Sequence, residues 1–214
     1  MMTGRNLILG SGAVIEDPAR IASRMMSEEW PYYDGLPRGD PDRIEPIDVL
    51  ATVSVNSFVN NAAAVRRIHR GMAAACDDLI RAIPRDAALL ETDPALVKHL
   101  IDAACSVQGV LVPVATKVLH RKRPGLVPML DNVVLRYYFE RLGRPELTGR
   151  SQDKNKAASV ARLALDEFKS DLEKASPDLD VIAAELAGQG MPVTTVRLLE
   201  LLLWCAVEPA GYYR

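Results

Sequence analysis

From Pro46 onward, apolar side chains recur at three- and four-residue spacing and almost nowhere alternate. That period places them on one stripe of a helix, so the chain is constrained to pack helix against helix. The first such run is Ile47, Ala51, Val55, Phe58, Val59, Ala62 and Val65. The β-branched piece TVSVN inside it can be read as a strand, but the wider window has the helical period. A second helix is expected over Met72–Ile83, ending before Pro84. Thr92-Asp93-Pro94 offers a capping side chain followed by an early proline, a good start for a third helix with Leu96, Val97, Leu100, Ile101, Ala104 and Cys105 on its buried side. Gly109 ends that connection, and VPVATKVLH follows almost at once, with Pro113 tolerated in its first turn. Further helices are expected from Asp131 to Leu142, from Ser151 through Leu172, from Ser176-Pro177 to Gly188, and over RLLELLLWCAV after Thr194 and Thr195.

Only 5% of residues are aromatic, so Leu, Val, Ile and Ala must fill the core. Residues 1–45 read as an irregular segment packed on the domain, with a short helix near Pro18–Met26 and a Pro/Gly-rich loop, WPYYDGLPRGDPDRIEP. Residues 46–214 read as a single all-helical domain. The class is therefore all-α, a compact orthogonal multi-helix bundle.

Composition narrows the function. No apolar run approaches the ~20 residues of a membrane span, and no signal peptide is evident, so no membrane partner is expected and a cytoplasmic location is. Cys76, Cys105 and Cys205 are odd in number and widely spaced, which suits reduced thiols rather than disulfides. Three histidines and no Cys/His cluster argue against a metal site, and GSG at 10–12 lacks a P-loop lysine, so no cofactor is expected. Net charge is −2, yet 117–150 is locally basic through Lys117, Arg121, Lys122, Arg123, Arg136, Arg141, Arg144 and Arg150. Such a face can meet phosphates, or these can be scattered helix-surface arginines.

The string Lys117–Asp131, KVLHRKRPGLVPMLD, is the most distinctive. Asp131 sits where a helix begins, as a cap, as a reacting carboxylate, or as both. Arg121, Lys122 and Arg123 read either as a solvated interhelical turn or as an anion clamp. Lys117 reads as a snorkelling side chain or a ligand contact, and His120 as a structural or a catalytic histidine. Tyr33, within Tyr32-Tyr33-Asp34, reads as an exposed aromatic that packs on the surface or touches a substrate or partner. Trp30, Tyr32, Tyr137 and Tyr138 are further candidate stacking surfaces.

The block K-x-L-x-x-K-R-P-x-L-x-P-x-x-D, with Asp48-Val49-Leu50-Ala51 before it and Arg197–Trp204 after it, resembles an uncharacterised bacterial family over about residues 30–205. More distantly, the order Gly109, basic turn, Asp131 resembles the helix-hairpin-helix DNA glycosylase superfamily over 93–142. That resemblance implies a hairpin at Gly109 gripping the nucleic-acid backbone and Asp131 in a base-flipping site. The substrate would be DNA or nucleotide-like, contacted by Lys117, His120, Arg121, Lys122, Arg123 and Tyr33. The family's hairpin is glycine-rich, whereas SVQGVLV has Gly109 alone. Bifunctional members carry a lysine just after the hairpin, where this chain has Val112-Pro113-Val114, so the resemblance implies a monofunctional N-glycosylase-like hydrolase. The alternatives are a non-enzymatic helical interaction module, with a homodimer through the Val193–Val207 helix, or a small-molecule enzyme holding an anionic substrate at Arg121–Arg123.

Overall fold

The computed structural model describes the backbone of residues 6–207 except 11, 30, 56, 58, 60, 151, 152, 154 and 155; the side chains of 28, 29, 31, 32, 149, 150 and 207 are also undescribed. Trp30, Phe58, Ser151 and the Tyr32 side chain therefore lie outside the described residues.

The chain is mostly helical. A two-residue antiparallel ribbon, β1 (Leu7–Ile8) and β2 (Val14–Ile15), pairs Leu7 with Ile15 and leads into α1 (Pro18–Arg24). A π-helical turn at Met25–Glu29 and the short α2 (Pro31–Gly35) follow. The segment before Pro46 thus carries more regular structure than its proline and glycine content suggested. Then come α3 (Pro46–Ala51), α4 (Ala62–Ala82), α5 (Pro94–Cys105), α6 (Val112–Lys122), α7 (Asn132–Arg141), α8 (Glu146–Arg150), α9 (Ala157–Gly188) and α10 (Thr195–Val207).

Three boundaries differ from the periodicity. The run from Pro46 is not one helix: α3 passes into a 3₁₀ turn at Thr52–Val55, and α4 starts afresh after Asn61, whose side chain accepts from the Ala64 N–H. The 3.6-residue period continues across such a break because both pieces bury the same side. α4 instead runs straight through Gly71, which lies so close to Val107 that a β-carbon would collide with its Cγ1. Similarly, Pro177 does not open a new helix but sits inside α9, on its exposed side. The lost hydrogen bond there faces solvent, which lowers its cost.

The core is one large cluster of Leu, Val, Ile and Ala at the junction of α4, α5, α6, α7, α9 and α10, with Phe139 and Phe168 among the few aromatics. A smaller cluster, Met25, Tyr33, Ala51, Val55, Met129 and Leu201, sits beside it. α10 is the central helix: Val196, Leu198, Leu199, Leu202 and Leu203 are all buried within the chain. No described helix is long and apolar enough to cross a membrane.

Candidate functional site

α5 and α6 form a helical hairpin. Asp93 caps α5 by accepting the Ala95 N–H, and Gly109 turns the chain with φ +80°, a backbone conformation that favours glycine. The Val110 N–H closes the turn on the Val107 carbonyl. α6 starts at Val112 with no side-chain cap; Pro113 has no N–H, and the Val114 and Ala115 N–H groups close on the Leu111 carbonyl, beside an exposed Gly109. The guanidinium of Arg67, from α4, lies against the glycine. Arg66, Arg67 and Arg70 are exposed and form no ion pair among the described residues.

Beyond α6, residues 126–130 (LVPML) are buried and not helical, so their backbone groups need partners from elsewhere. The Leu126 and Val127 N–H groups close on the Arg123 carbonyl, and side chains meet three further groups. His120 Nδ1 meets the Val127 carbonyl at 2.8 Å, Thr116 Oγ1 accepts the Leu130 N–H, and Glu200 Oε2 accepts the Met129 N–H at 3.0 Å. This pins the start of α7. Asp131 Oδ1 accepts the N–H groups of Val133 (2.9 Å) and Val134 (3.1 Å). Oδ2 accepts the Trp204 Nε1–H at 2.9 Å. Asp131 is thus a helix cap and also partly exposed.

It lines a narrow recess, about 260 Å³ counted out to the open mouth, walled by Met25, Val55, Lys117, Met129, Asp131, Arg197, Glu200, Leu201 and Trp204. Lys117 is buried, its Nζ donates to the Val55 carbonyl, and desolvation lowers its basicity although Asp131 and Glu200 pull the other way. Glu200 pairs with Arg197 at 2.7 Å. Burial raises its carboxyl, opposed by Arg197 and the Met129 N–H. Arg197 also reaches Asp34 at 2.9 Å. Two carboxylates and two cations therefore meet around one small cleft.

The basic string is located elsewhere than an exposed turn. Arg121 and Lys122 are the last residues of α6 and Arg123 its cap; all three are buried. Asp48 receives Arg121 Nε (3.1 Å) and Lys122 Nζ (2.5 Å). The remaining donors clamp the strap 33–42. Arg121 reaches the carbonyls of Tyr33 and Pro37, Lys122 those of Arg38 and Asp40, and Arg123 that of Pro41 plus the Asp42 carboxylate. Arg123 also caps the end of α4 at the Ile80 and Ile83 carbonyls. In place of a solvated interhelical turn or an anion clamp, the three side chains form an internal clamp whose donors are taken by the chain itself. Tyr33 is buried too, not exposed: its hydroxyl donates to the Lys117 carbonyl at 2.6 Å, and its ring lies 5.6 Å from both Arg121 and Arg197. Burial drives its hydroxyl far above the usual phenol range. His120 is buried and pushed down to about 3 by desolvation, which keeps it neutral.

So Asp131 and Lys117 meet in the recess, while His120, Arg121, Lys122, Arg123 and Tyr33 form its support and Gly109 stands apart at the hairpin tip. Sequence reasoning named Arg197–Trp204 only as part of the family resemblance and gave Arg197, Glu200 and Trp204 no role in a site. The signal was present: 197, 200 and 204 share one face at i, i+3, i+7, and two of them are charged. Tyr137 and Tyr138 stack edge to face with each other near Arg141, away from the recess lining. Among the described residues no Cys/His/Asp/Glu group suits a metal ion, and burial pushes the Cys76 and Cys105 thiols up to about 12.

A family model matches residues 22–207. The chain belongs to a family of unknown function, DUF6308. The match covers the recess, the clamp and the hairpin together, so the membership expected from the Lys117–Asp131 block holds at the level of an uncharacterised domain family. Neither a curated protein nor a solved structure matches.

Proposed function

We propose that this DUF6308 protein is a DNA glycosylase-like protein that binds DNA or a nucleotide-like substrate and cleaves an N-glycosidic bond with help from Asp131. The observation that carries the reading is the Asp131 carboxylate at an open recess, one helix away from the Gly109 hairpin. α6 links the two: from Val112 to Lys117 the rise is about 7–8 Å, so a backbone phosphate at the hairpin and a group in the recess suit neighbouring positions on one strand. Arg67 against Gly109, with the exposed Arg66 and Arg70 of the same helix, supplies the charge for the backbone. The Arg121–Arg123 clamp serves the scaffold in this reading and does not touch DNA.

N-glycosidic cleavage builds positive charge on the sugar, which a fixed carboxylate stabilises, and needs water at the same carbon. Asp131, held through both oxygens, is suited to the first task. The recess is narrow, so a base would enter by displacing Met25 and Met129, whose unbranched side chains adapt easily. Pro113 offers no amine after the hairpin, which supports a monofunctional reaction. Lys117 acts as the counter-charge to Asp131 and Glu200.

The test is base release from duplex oligonucleotides carrying uracil, hypoxanthine, alkylated purines or mismatched adenine, followed by alkaline strand cleavage. Release that drops by at least about 100-fold in Asp131→Asn is expected. No binding to any duplex at roughly 50 mM salt, where phosphate contacts are strong, overturns the proposal. A borohydride-trapped adduct at Lys117 overturns the monofunctional assignment.

The non-enzymatic alternative draws less support. It needs apolar surface on α10, and that surface is already buried inside the chain.

A further inference from the structure

We infer that Trp204 is the positioning residue for Asp131, coupling α10 to the start of α7 through a single indole hydrogen bond. The carboxylate has two oxygens with different tasks. Oδ1 is committed to the helix, where the Val133 and Val134 N–H groups hold it. Those bonds restrain one edge of the carboxylate; the other edge, Oδ2, is held by the Trp204 indole N–H at 2.9 Å. Trp204 is itself fixed by its place on a buried helix, and it forms part of the recess wall. Its ring therefore aims Oδ2 and shields one side of it at once.

A donor to a carboxylate favours the charged form and is stronger than a neutral hydrogen bond. The groups that face Asp131 around the recess are Lys117 from α6 and Arg197 and Glu200 from α10, with Asp34 behind Arg197; Met25 and Val55 contribute apolar walls. The cations and Glu200 act on Asp131 through space. Trp204 bonds it directly, so its loss loosens the hold on Oδ2 while leaving the charge balance of the recess unchanged. This inference rests on the proposed reaction for its kinetic consequence, although the hydrogen bond itself can be tested without it.

The chain has two tryptophans, so ¹⁵N–¹H spectra contain two indole signals, assigned with Trp204→Phe. In the intact protein the Trp204 signal is expected downfield, as for an indole N–H held by a carboxylate. In Asp131→Asn the signal is expected to shift upfield, which separates Asp131 from Glu200. In the base-release assay, Trp204→Phe keeps most of the ring volume. It is expected to lower kcat on the order of 10-fold with KM within about 2-fold. An indole signal unchanged in Asp131→Asn overturns the inference, as does an unchanged kcat in Trp204→Phe. A responsive indole in a protein that releases no base from any duplex overturns the proposed function and leaves the Trp204–Asp131 coupling standing.

Discussion

Asp48→Asn tests the account of the basic clamp. Asp48 is fully buried, and its carboxylate faces two buried cations, Arg121 at 3.1 Å and Lys122 at 2.5 Å. It also accepts the Glu45 N–H at 2.8 Å, half of a capping box at α3. Asparagine keeps an oxygen for that cap, so the substitution removes mainly the charge. Breaking a buried ion pair from one side costs about 3–5 kcal/mol, because the remaining charge is left without a counterion. The clamp carbonyls of Tyr33, Pro37, Arg38 and Asp40 still solvate Arg121 and Lys122, so the lower end, about 3 kcal/mol, is expected. Total stabilities of such domains are of order 5–15 kcal/mol, and the variant should still fold. With a urea m value of about 2–3 kcal/mol/M, the unfolding midpoint should fall by roughly 1–1.5 M. Adding Lys122→Met, which removes one orphaned cation and keeps an apolar stem, should recover at least about 1 kcal/mol. A loss below about 1 kcal/mol for Asp48→Asn alone, or strictly additive effects in the pair, would refute the buried-charge argument.

Two further expectations concern the scaffold. His120 is held neutral down to about pH 3, whereas the unfolded chain titrates near 6.5; below pH 6.5 the unfolded state binds the extra proton, so stability falls with pH by about 1.4 kcal/mol per unit until about pH 3. Chemical denaturation at several pH values should show the advantage of wild type over His120→Asn shrinking at that rate below pH 6, and parallel pH dependences would contradict it. Gly71→Ala gains helix propensity but drives a methyl into Val107; a net loss of about 1–2 kcal/mol is expected, largely relieved by Val107→Ala, and a stabilised single variant would show that the hairpin gives way freely.

Local patterns were enough for the helices and for some of their ends. The 3.6-residue stripe, Asp93 before Pro94, Gly109 and Gly143 with positive φ, and Asp131 as a cap depend on groups within a few residues of one another, so their physics is written in the string. The same locality explains the errors. An exposed proline inside α9 loses little, and a glycine inside α4 is required by a loop some thirty-six residues away, and neither fact has a local signature.

The candidate site divides along the same line. Asp131 and Lys117 stood out in the sequence because one opens a helix and the other interrupts an apolar one. Whether Arg121, Lys122 and Arg123 face water or the interior depended on Asp48 and on the carbonyls of residues 33–42, between 73 and 88 positions away. Charged side chains are buried only when partners come to them, and only the tertiary structure brings these partners in. The recess is likewise a product of packing: α10 carries Arg197, Glu200 and Trp204 across to Asp131 and Lys117, joining residues whose separation along the chain gave no hint of contact. The sequence by itself determined the helical class and the cap at Asp131. The tertiary structure decided that this cap also opens onto a charged cleft, because burial and charge pairing are properties of neighbours in space.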